Sequence, residues 1–128
     1  MPKRWRVAYE RELAAELWKR GFVPVRVGGS GSGKRTVPAL DLFVWDPTCG
    51  KLYAVEVKSS IKSADPRYIT SLISEKEKEK MRMLRERGVE VVVAVRHNGK
   101  WYWFRWENGR LEETEDPFNP FNRFKPNF

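Results

Sequence analysis

Two carboxylates face each other across a predicted β-hairpin. The segments Ala39–Trp45 and Leu52–Lys58 have the composition of strands, and a Pro- and Gly-containing turn lies between them. If the residues that flank the turn pair with each other, Asp41 lies directly opposite Glu56. Because side chains alternate along a strand, Glu56 and Lys58 share one face of the hairpin with Asp41. We expect this face to be polar.

This pair of carboxylates predicts a metal site. Like charges directly opposite each other destabilise a sheet by roughly 0.2 to 1 kcal/mol, so Asp41 and Glu56 require a compensating cation. Magnesium prefers one or two carboxylates together with water and phosphate oxygens. The sequence therefore favours a divalent ion here. The opposite, apolar face of the hairpin is expected to carry Leu40, Leu42, Val55 and Val57.

A third carboxylate lies on the apolar stripe of a predicted helix. In the segment Val7–Arg20, Glu10 precedes Leu13 and Leu17 at helical spacing and should be buried with them. An unpaired buried charge is costly, so two interpretations stay open. Glu10 either forms an ion pair with a core-facing arginine such as Arg26, or it belongs to a functional site.

A glycine-rich loop carries further polar groups. Gly28–Lys34 has the pattern G-x-x-x-x-G-K that opens a phosphate-binding loop, but Arg35 replaces the required Ser or Thr and no helix follows. This argues against nucleotide hydrolysis. The glycine backbone allows close contact with an anion such as a DNA phosphate, and the alternative is a surface loop without a ligand. The candidate donors are Ser30, Ser32, Lys34 and Arg35.

The elements that position these residues follow the order αβββαββ and predict an α/β fold, a central mixed β-sheet flanked by helices. Two Asn-Gly pairs predict tight turns near the end of the chain. The charged run Glu75–Lys80 is expected to form a solvent-exposed helix face. The predicted helices span residues 7–20 and 69–87, and the predicted strands span residues 22–27, 39–45, 52–58, 89–96 and 101–106.

Charge and composition narrow the function class. The chain has 128 residues and a formal net charge of +8, and residues 1–36 contain nine basic against three acidic side chains. This polarised charge indicates a polyanion, most simply nucleic acid, although a solvated basic face is the alternative. A single Cys and a single His exclude an internal disulfide and a Cys/His zinc site. We expect neither a membrane span nor a signal peptide, and a cytoplasmic protein.

Taken in order, these residues resemble a known nuclease family. Glu10, Asp41, the run Glu56-Val57-Lys58 and the Gly-Ser-Gly-Ser loop between them resemble the PD-(D/E)xK nuclease superfamily, and within it the archaeal Holliday junction resolvases of the Hjc type. The similarity extends over roughly residues 3–112. Leu40 departs from the family pattern, which usually has Pro before the Asp. The further matching features are Tyr9–Leu13, Gly21-Phe22 with Arg26, Tyr68 and the hairpin Val92–Trp106.

The resemblance implies a restriction-endonuclease-like fold with an αβββαβ core and a magnesium-dependent endonuclease. It implies a nuclease domain at 1–112 and a Pro-, Phe- and Asn-rich tail at 113–128. Asp41 and Glu56 would bind Mg²⁺, for which Mn²⁺ can substitute, with the Val57 carbonyl as a further ligand and Glu10 binding directly or through water. Lys58 would orient or deprotonate the attacking water.

The resemblance also implies contacts with branched DNA and a homodimer, because two symmetric nicks need two active sites. Ser30 and Ser32 match family serines near the scissile strand and are counted with the catalytic residues. The DNA-binding candidates are Arg11, Arg26, Lys34, Arg35, Lys62 and Tyr68. The aromatic residues of 101–106 are candidates for the dimer surface, with ordinary core packing as the alternative.

The phenylalanines of the C-terminal tail have several candidate partners. Phe118, Phe121, Phe124 and Phe128 are candidates for docking on the other subunit, on a sliding clamp or on other recombination proteins, but a frayed end is favoured. Three function classes stay open: a four-way junction resolvase, another repair or restriction nuclease of the same superfamily, and a non-catalytic DNA-binding module. The opposed carboxylates argue against the third class, because they repel phosphate.

Overall fold

The computed structural model describes residues 3–27 and 37–119. The predicted donors Ser30, Ser32, Lys34 and Arg35 and the tail from residue 120 lie outside the described residues. No helix in the described ranges is long and apolar enough to span a membrane. The elements are α1 (Lys3–Lys19), β1 (Val23–Arg26), β2 (Leu42–Asp46), β3 (Lys51–Ser59), α2 (Pro66–Ser71), α3 (Glu75–Glu86), β4 (Glu90–His97), β5 (Lys100–Glu107) and β6 (Arg110–Thr114).

The strands form one mixed sheet, which confirms the predicted fold class. Their order in the sheet is β1-β2-β3-β4-β5-β6. The central pair β3–β4 is parallel, and its connection runs through α2 and α3, whereas every other neighbouring pair is antiparallel. Asn98 and Asn108 adopt positive φ angles of 50° and 52° before their glycines, as the two predicted Asn-Gly turns require.

The predicted register of the β2–β3 hairpin is confirmed. Trp45 pairs with Leu52, and Leu42 pairs with Val55 at the last pair of the ladder. Continuing the same register by one residue brings Asp41 opposite Glu56. The two carboxylates therefore lie at the open end of the hairpin, where β2 begins and β3 continues towards its own end.

Helices cover both faces of the sheet. The prediction that the hairpin has a polar face is therefore wrong. Glu56 and Lys58 lie on the face covered by α2 and α3, and Leu40 lies there too rather than with Leu42. The α1-side core consists of Leu13, Leu17, Phe22, Leu42, Val44, Tyr53, Val55, Val57, Val92, Ala94, Trp103 and Phe118. The α3-side core consists of Leu40, Ala54, Ile69, Ile73, Met81, Leu84, Val91, Val93, Val95, Phe104, Trp106 and Leu111.

The long helix predicted at residues 69–87 is two helices. α2 ends at Ser71, and α3 begins after Ser74, whose side chain accepts a hydrogen bond from the Glu77 N–H. The Glu77 side chain in turn accepts from the Ser74 N–H, which completes a capping box. The pattern Ser-x-x-Glu is a helix-start signal inside an otherwise continuous helical stretch.

The C-terminal boundary is also different from the prediction. The expected domain boundary after residue 112 falls inside β6, and Phe118, expected in the tail, is fully buried in the α1-side core. Its ring makes edge contacts with Phe22, Tyr53 and Trp103 at centroid distances of 5.1, 4.7 and 5.5 Å. Trp103, Phe104 and Trp106 are buried in the chain's own cores, so for these three residues the core-packing alternative applies.

Candidate active site at the open end of the hairpin

Asp41 is fixed by the neighbouring strand. Its Oδ2 accepts a hydrogen bond of 2.8 Å from the Val57 N–H. Burial raises the pKa of the Asp41 carboxyl, while this hydrogen bond and the positive charges of Arg6, Lys58 and Lys80 act in the opposite direction. The backbone of β3 thus fixes a carboxylate whose pKa is raised by burial despite three nearby positive charges.

Lys58 lies between two carboxylates on the α3 side of the sheet. Its Nζ is 3.5 Å from Glu56 Oε2 and 2.9 Å from Glu77 Oε2. The Lys58 side chain is 13% exposed and that of Glu56 is 7% exposed. Burial lowers the pKa of Lys58, and the negative charge of Asp41 opposes this shift. Two flanking carboxylates favour the ammonium form of this lysine.

Glu10 reaches the same region from α1, on the other side of the sheet. The residue is 7% exposed, as its place on the apolar stripe predicts. Burial raises the pKa of Glu10, the negative charge of Asp41 raises it further, and Arg26 and Arg6 lower it. Arg26 Nη2 lies 3.9 Å from Glu10 Oε1. The ion pair of Glu10 with Arg26 is therefore present, and the assignment of Glu10 to a functional site stays a prediction.

The metal site predicted at Glu10, Asp41 and Glu56 stays a prediction. No group of three or more His, Cys, Asp or Glu side chains in the described ranges is arranged to hold one metal ion. Glu10 comes from α1 on one face of the sheet, whereas Glu56 lies on the other face beside Lys58. The donor chemistry nevertheless suits a hard cation, because buried carboxylates whose pKa values are raised by burial are stabilised by added positive charge.

The predicted DNA-binding residues lie in separate parts of the structure. Arg11 is exposed on α1, and Arg26 is engaged with Glu10. Lys62 Nζ lies 5.5 Å from the centre of the Tyr68 ring, so these two predicted DNA contacts form one cation–π pair near the start of α2. This pair presents a charge and an aromatic face together.

Three site residues escaped the sequence analysis. The charge pattern predicts a solvent-exposed position for Glu77, but Glu77 contacts Lys58, and its capping-box spacing from Ser74 is the local signal in the sequence. Arg6 lies one helical turn before Glu10, and its charge acts on Glu10, Asp41 and Lys58. The positive charge of Lys80 acts on Asp41 from α3, and no local sequence pattern encodes this interaction between separate elements.

Comparison with known proteins places this geometry in a family context. A model of the archaeal Holliday junction resolvase (Hjc) family matches residues 1–118. The crossover junction endodeoxyribonuclease Hjc of Archaeoglobus fulgidus is 33% identical over 112 residues, which cover 86% of this chain and 74% of that protein. The 1.6 Å structure of A. fulgidus Hjc, a Holliday junction resolvase from an archaeal hyperthermophile, matches with a TM-score of 0.61 at 25% identity, covering 90% of this chain and 92% of that chain.

Proposed function

The chain belongs to the archaeal Holliday junction resolvase family, and from this premise we propose that it cuts four-way DNA junctions by paired symmetric nicks. The reaction is a metal-dependent hydrolysis of the phosphodiester, and it serves recombination and repair. The observation that carries the proposal is the charged cluster of Asp41, Glu56 and Lys58, which lies largely buried at the open end of a hairpin in a chain of net charge +8.

The proposed cofactor is Mg²⁺, with Mn²⁺ as a substitute. Asp41 and Glu56 would hold the ion, with the Val57 carbonyl as a further ligand and Glu10 acting directly or through water. The Val57 N–H orients Asp41, so β3 would supply both a ligand and the group that positions another ligand. When bound, a divalent ion acts as a Lewis acid, lowers the pKa of water and neutralises charge that develops on the phosphate.

Lys58 is the proposed catalytic residue that handles water and charge. In the hydrolysis a water oxygen bonds to phosphorus, the bond from phosphorus to the 3′ oxygen breaks, and that oxygen gains a proton. The products are a 5′-phosphate and a 3′-hydroxyl. The Lys58 ammonium would orient the attacking water and stabilise negative charge on the phosphorane. Its low exposure strengthens this interaction, because little water competes for the charge.

DNA binding is assigned to the basic residues around this cluster. Arg11 and the Lys62–Tyr68 pair would contact the backbone from the two helical sides of the sheet. Arg26 would serve DNA while it also compensates Glu10. Lys34 and Arg35 complete the proposed DNA-binding set, and Ser30 and Ser32 are proposed catalytic residues near the scissile strand; all four lie outside the described residues.

The assembly proposed is a homodimer that acts in the cytoplasm. A four-way junction is cut on two strands related by symmetry, so two copies of one active site match the substrate. A sliding clamp or another recombination protein is a further candidate partner, through the tail phenylalanines beyond the described residues.

Cleavage of branched against unbranched DNA tests the proposal. The protein is incubated with Mg²⁺ and end-labelled four-way junction, linear duplex or flap of the same sequence. We expect cleavage of the junction at symmetric positions and little cleavage of the other two substrates. Equal cutting of all three would point to a different nuclease of the superfamily, and binding without cutting under Mg²⁺ or Mn²⁺ would point to a DNA-binding module. Junction affinity should fall steeply with salt, because phosphate contacts release counterions.

A further inference from the structure

We propose that Glu77 is a positioning residue for Lys58 and sets the rate of DNA cleavage through it. This inference rests on the proposed nuclease function and adds a residue to it. Glu77 Oε2 lies 2.9 Å from Lys58 Nζ, closer than the 3.5 Å that separates the ammonium from Glu56 Oε2. The lysine is therefore held mainly from α3 and not from the carboxylate next to it on its own strand.

Glu77 is itself fixed at several atoms. Its Oε1 accepts a hydrogen bond of 3.0 Å from the Ser74 N–H, and its own N–H donates to Ser74 Oγ over 3.1 Å. These contacts form the capping box that begins α3. With Oε1 held by the Ser74 N–H, Oε2 remains directed at Lys58. The start of α3 thus sets where the ammonium group lies relative to the sheet.

The competition for Lys58 has a chemical consequence. Glu56 is a proposed metal ligand, and an ammonium group that moved onto it would neutralise and obstruct that carboxylate. The Glu77 carboxylate is closer to Lys58 and lies on its opposite side. Lys58 therefore compensates only part of the negative charge of Glu56. The Lys58 and Glu77 side chains are 13% and 23% exposed, so their attraction is only partly screened by water.

Two variants separate positioning from helix capping. Glu77→Gln keeps an amide oxygen for the Ser74 N–H but removes the negative charge next to Lys58. Ser74→Ala removes the hydroxyl group that accepts the capping hydrogen bond. It keeps the backbone N–H of residue 74 and the Glu77 carboxylate. We measure the single-turnover rate of junction cleavage with Mg²⁺, junction affinity in EDTA, and the unfolding midpoint of each full-length variant.

We expect Glu77→Gln to slow single-turnover cleavage about tenfold, since a misplaced catalytic group costs rate even when binding is intact. Junction affinity should stay equal or increase, because one negative charge is removed. Ser74→Ala should lower the unfolding midpoint, as loss of a cap does, and cleave at the wild-type rate below that midpoint. Wild-type cleavage by Glu77→Gln overturns the inference, and so does an equal loss of rate in both variants, which would make Glu77 a capping residue alone.

A double-mutant cycle tests the contact without any activity. The free energy of unfolding is measured for Lys58→Met, Glu77→Gln and the double variant. If the two side chains form the pair described, the combined loss of stability is smaller than the sum of the single losses. Additive losses overturn the inference even if the wild type cleaves junctions. A wild type that cleaves no junction, with the pair still coupled, overturns the proposed function and with it the catalytic role of the pair.

Discussion

Each end of the β2–β3 hairpin holds an aspartate, Asp46 buried at the closed end and Asp41 half-buried at the open end, and the two differ in their partners. At the closed end, Asp46 accepts hydrogen bonds from the Thr48 N–H at 2.9 Å and from Cys49 Sγ at 3.3 Å. Both donors belong to the turn that Asp46 begins. At the open end, Asp41 accepts from Val57 of the neighbouring strand and lies in the field of another buried carboxylate, Glu10.

This difference separates a structural carboxylate, Asp46, from the proposed functional one, Asp41. A carboxylate that accepts hydrogen bonds from the N–H and thiol groups of its own turn stabilises that turn. A carboxylate that is buried beside Glu10 and opposite Glu56 raises the energy of the free protein, and an added cation relieves it. The open end therefore suits the proposed metal site, whereas the closed end suits a structural role.

The largest expected effect comes from Asp41→Asn. Loss of this proposed metal ligand should reduce junction cleavage by at least about a thousandfold, while junction binding persists or tightens because one repelling charge is gone. Gel assays of cleavage with Mg²⁺ and of binding in EDTA measure the two effects. Asp46→Asn is the matched control at the closed end: we expect unchanged cleavage and a stability loss of about 1 kcal/mol.

The contrast between the two ends of the hairpin is contradicted if Asp41→Asn and Asp46→Asn change the same property of the protein. Simultaneous loss of cleavage and binding in Asp41→Asn would make Asp41 a structural residue like Asp46. Loss of cleavage in a folded Asp46→Asn protein would show that the closed end also serves the reaction.

The hairpin could be predicted from the sequence because its determinants are local. A turn of fixed length sets the register, so pairing Trp45 with Leu52 was enough to bring Asp41 opposite Glu56. The helices α2 and α3 cover the face that carries Glu56 and Lys58. This packing could not be predicted from local patterns, because the helices are separate elements later in the chain. Leu40 lies on the face opposite to the predicted one, because β2 begins only at Leu42 and strand alternation does not extend to residue 40.

Charge patterns were harder to interpret than apolar ones. The run around Glu77 looks like a solvated helix face, and only its spacing from Ser74 and a tertiary contact with Lys58 give it another role. Phe118 was assigned to a tail because no periodicity surrounds it. Its burial depends on the rings of Phe22 and Tyr53, which come from elements far away in sequence.

The next largest effect is expected from Phe118→Ala, which tests the closed end. This ring is fully buried and packs against Tyr53, so its removal should lower the free energy of unfolding by about 3 to 5 kcal/mol. Denaturant unfolding measures the loss. Trp18→Ala is the control, because Trp18 is 65% exposed, and we expect a change within about 0.5 kcal/mol. Wild-type stability in Phe118→Ala would mean that the chain after β6 is not part of the core.

The smallest effect concerns the alkaline titration of Tyr53, which lies on β3 near the closed end. Burial, followed by the negative charges of Cys49, Asp46 and Glu90, raises the pKa of Tyr53 from 10.0 to about 12. The folded protein therefore keeps the phenol proton longer than the unfolded chain does. Since the unfolded state binds fewer protons between these pH values, stability should fall as pH rises from 10.0 towards about 12 and be unaffected below this range.

Ultraviolet absorbance of the phenolate follows this titration directly, as the difference between the wild type and Tyr53→Phe. We expect the difference signal to develop near the upper limit of that range while the protein stays folded, and the pH dependence of unfolding to be shallower in Tyr53→Phe. A difference signal centred at the ordinary tyrosine value would mean that water reaches the closed end. Tyr53 would then not be shielded from water at the closed end of the hairpin. The difference between the two ends of the hairpin would be supported by Asp41 alone.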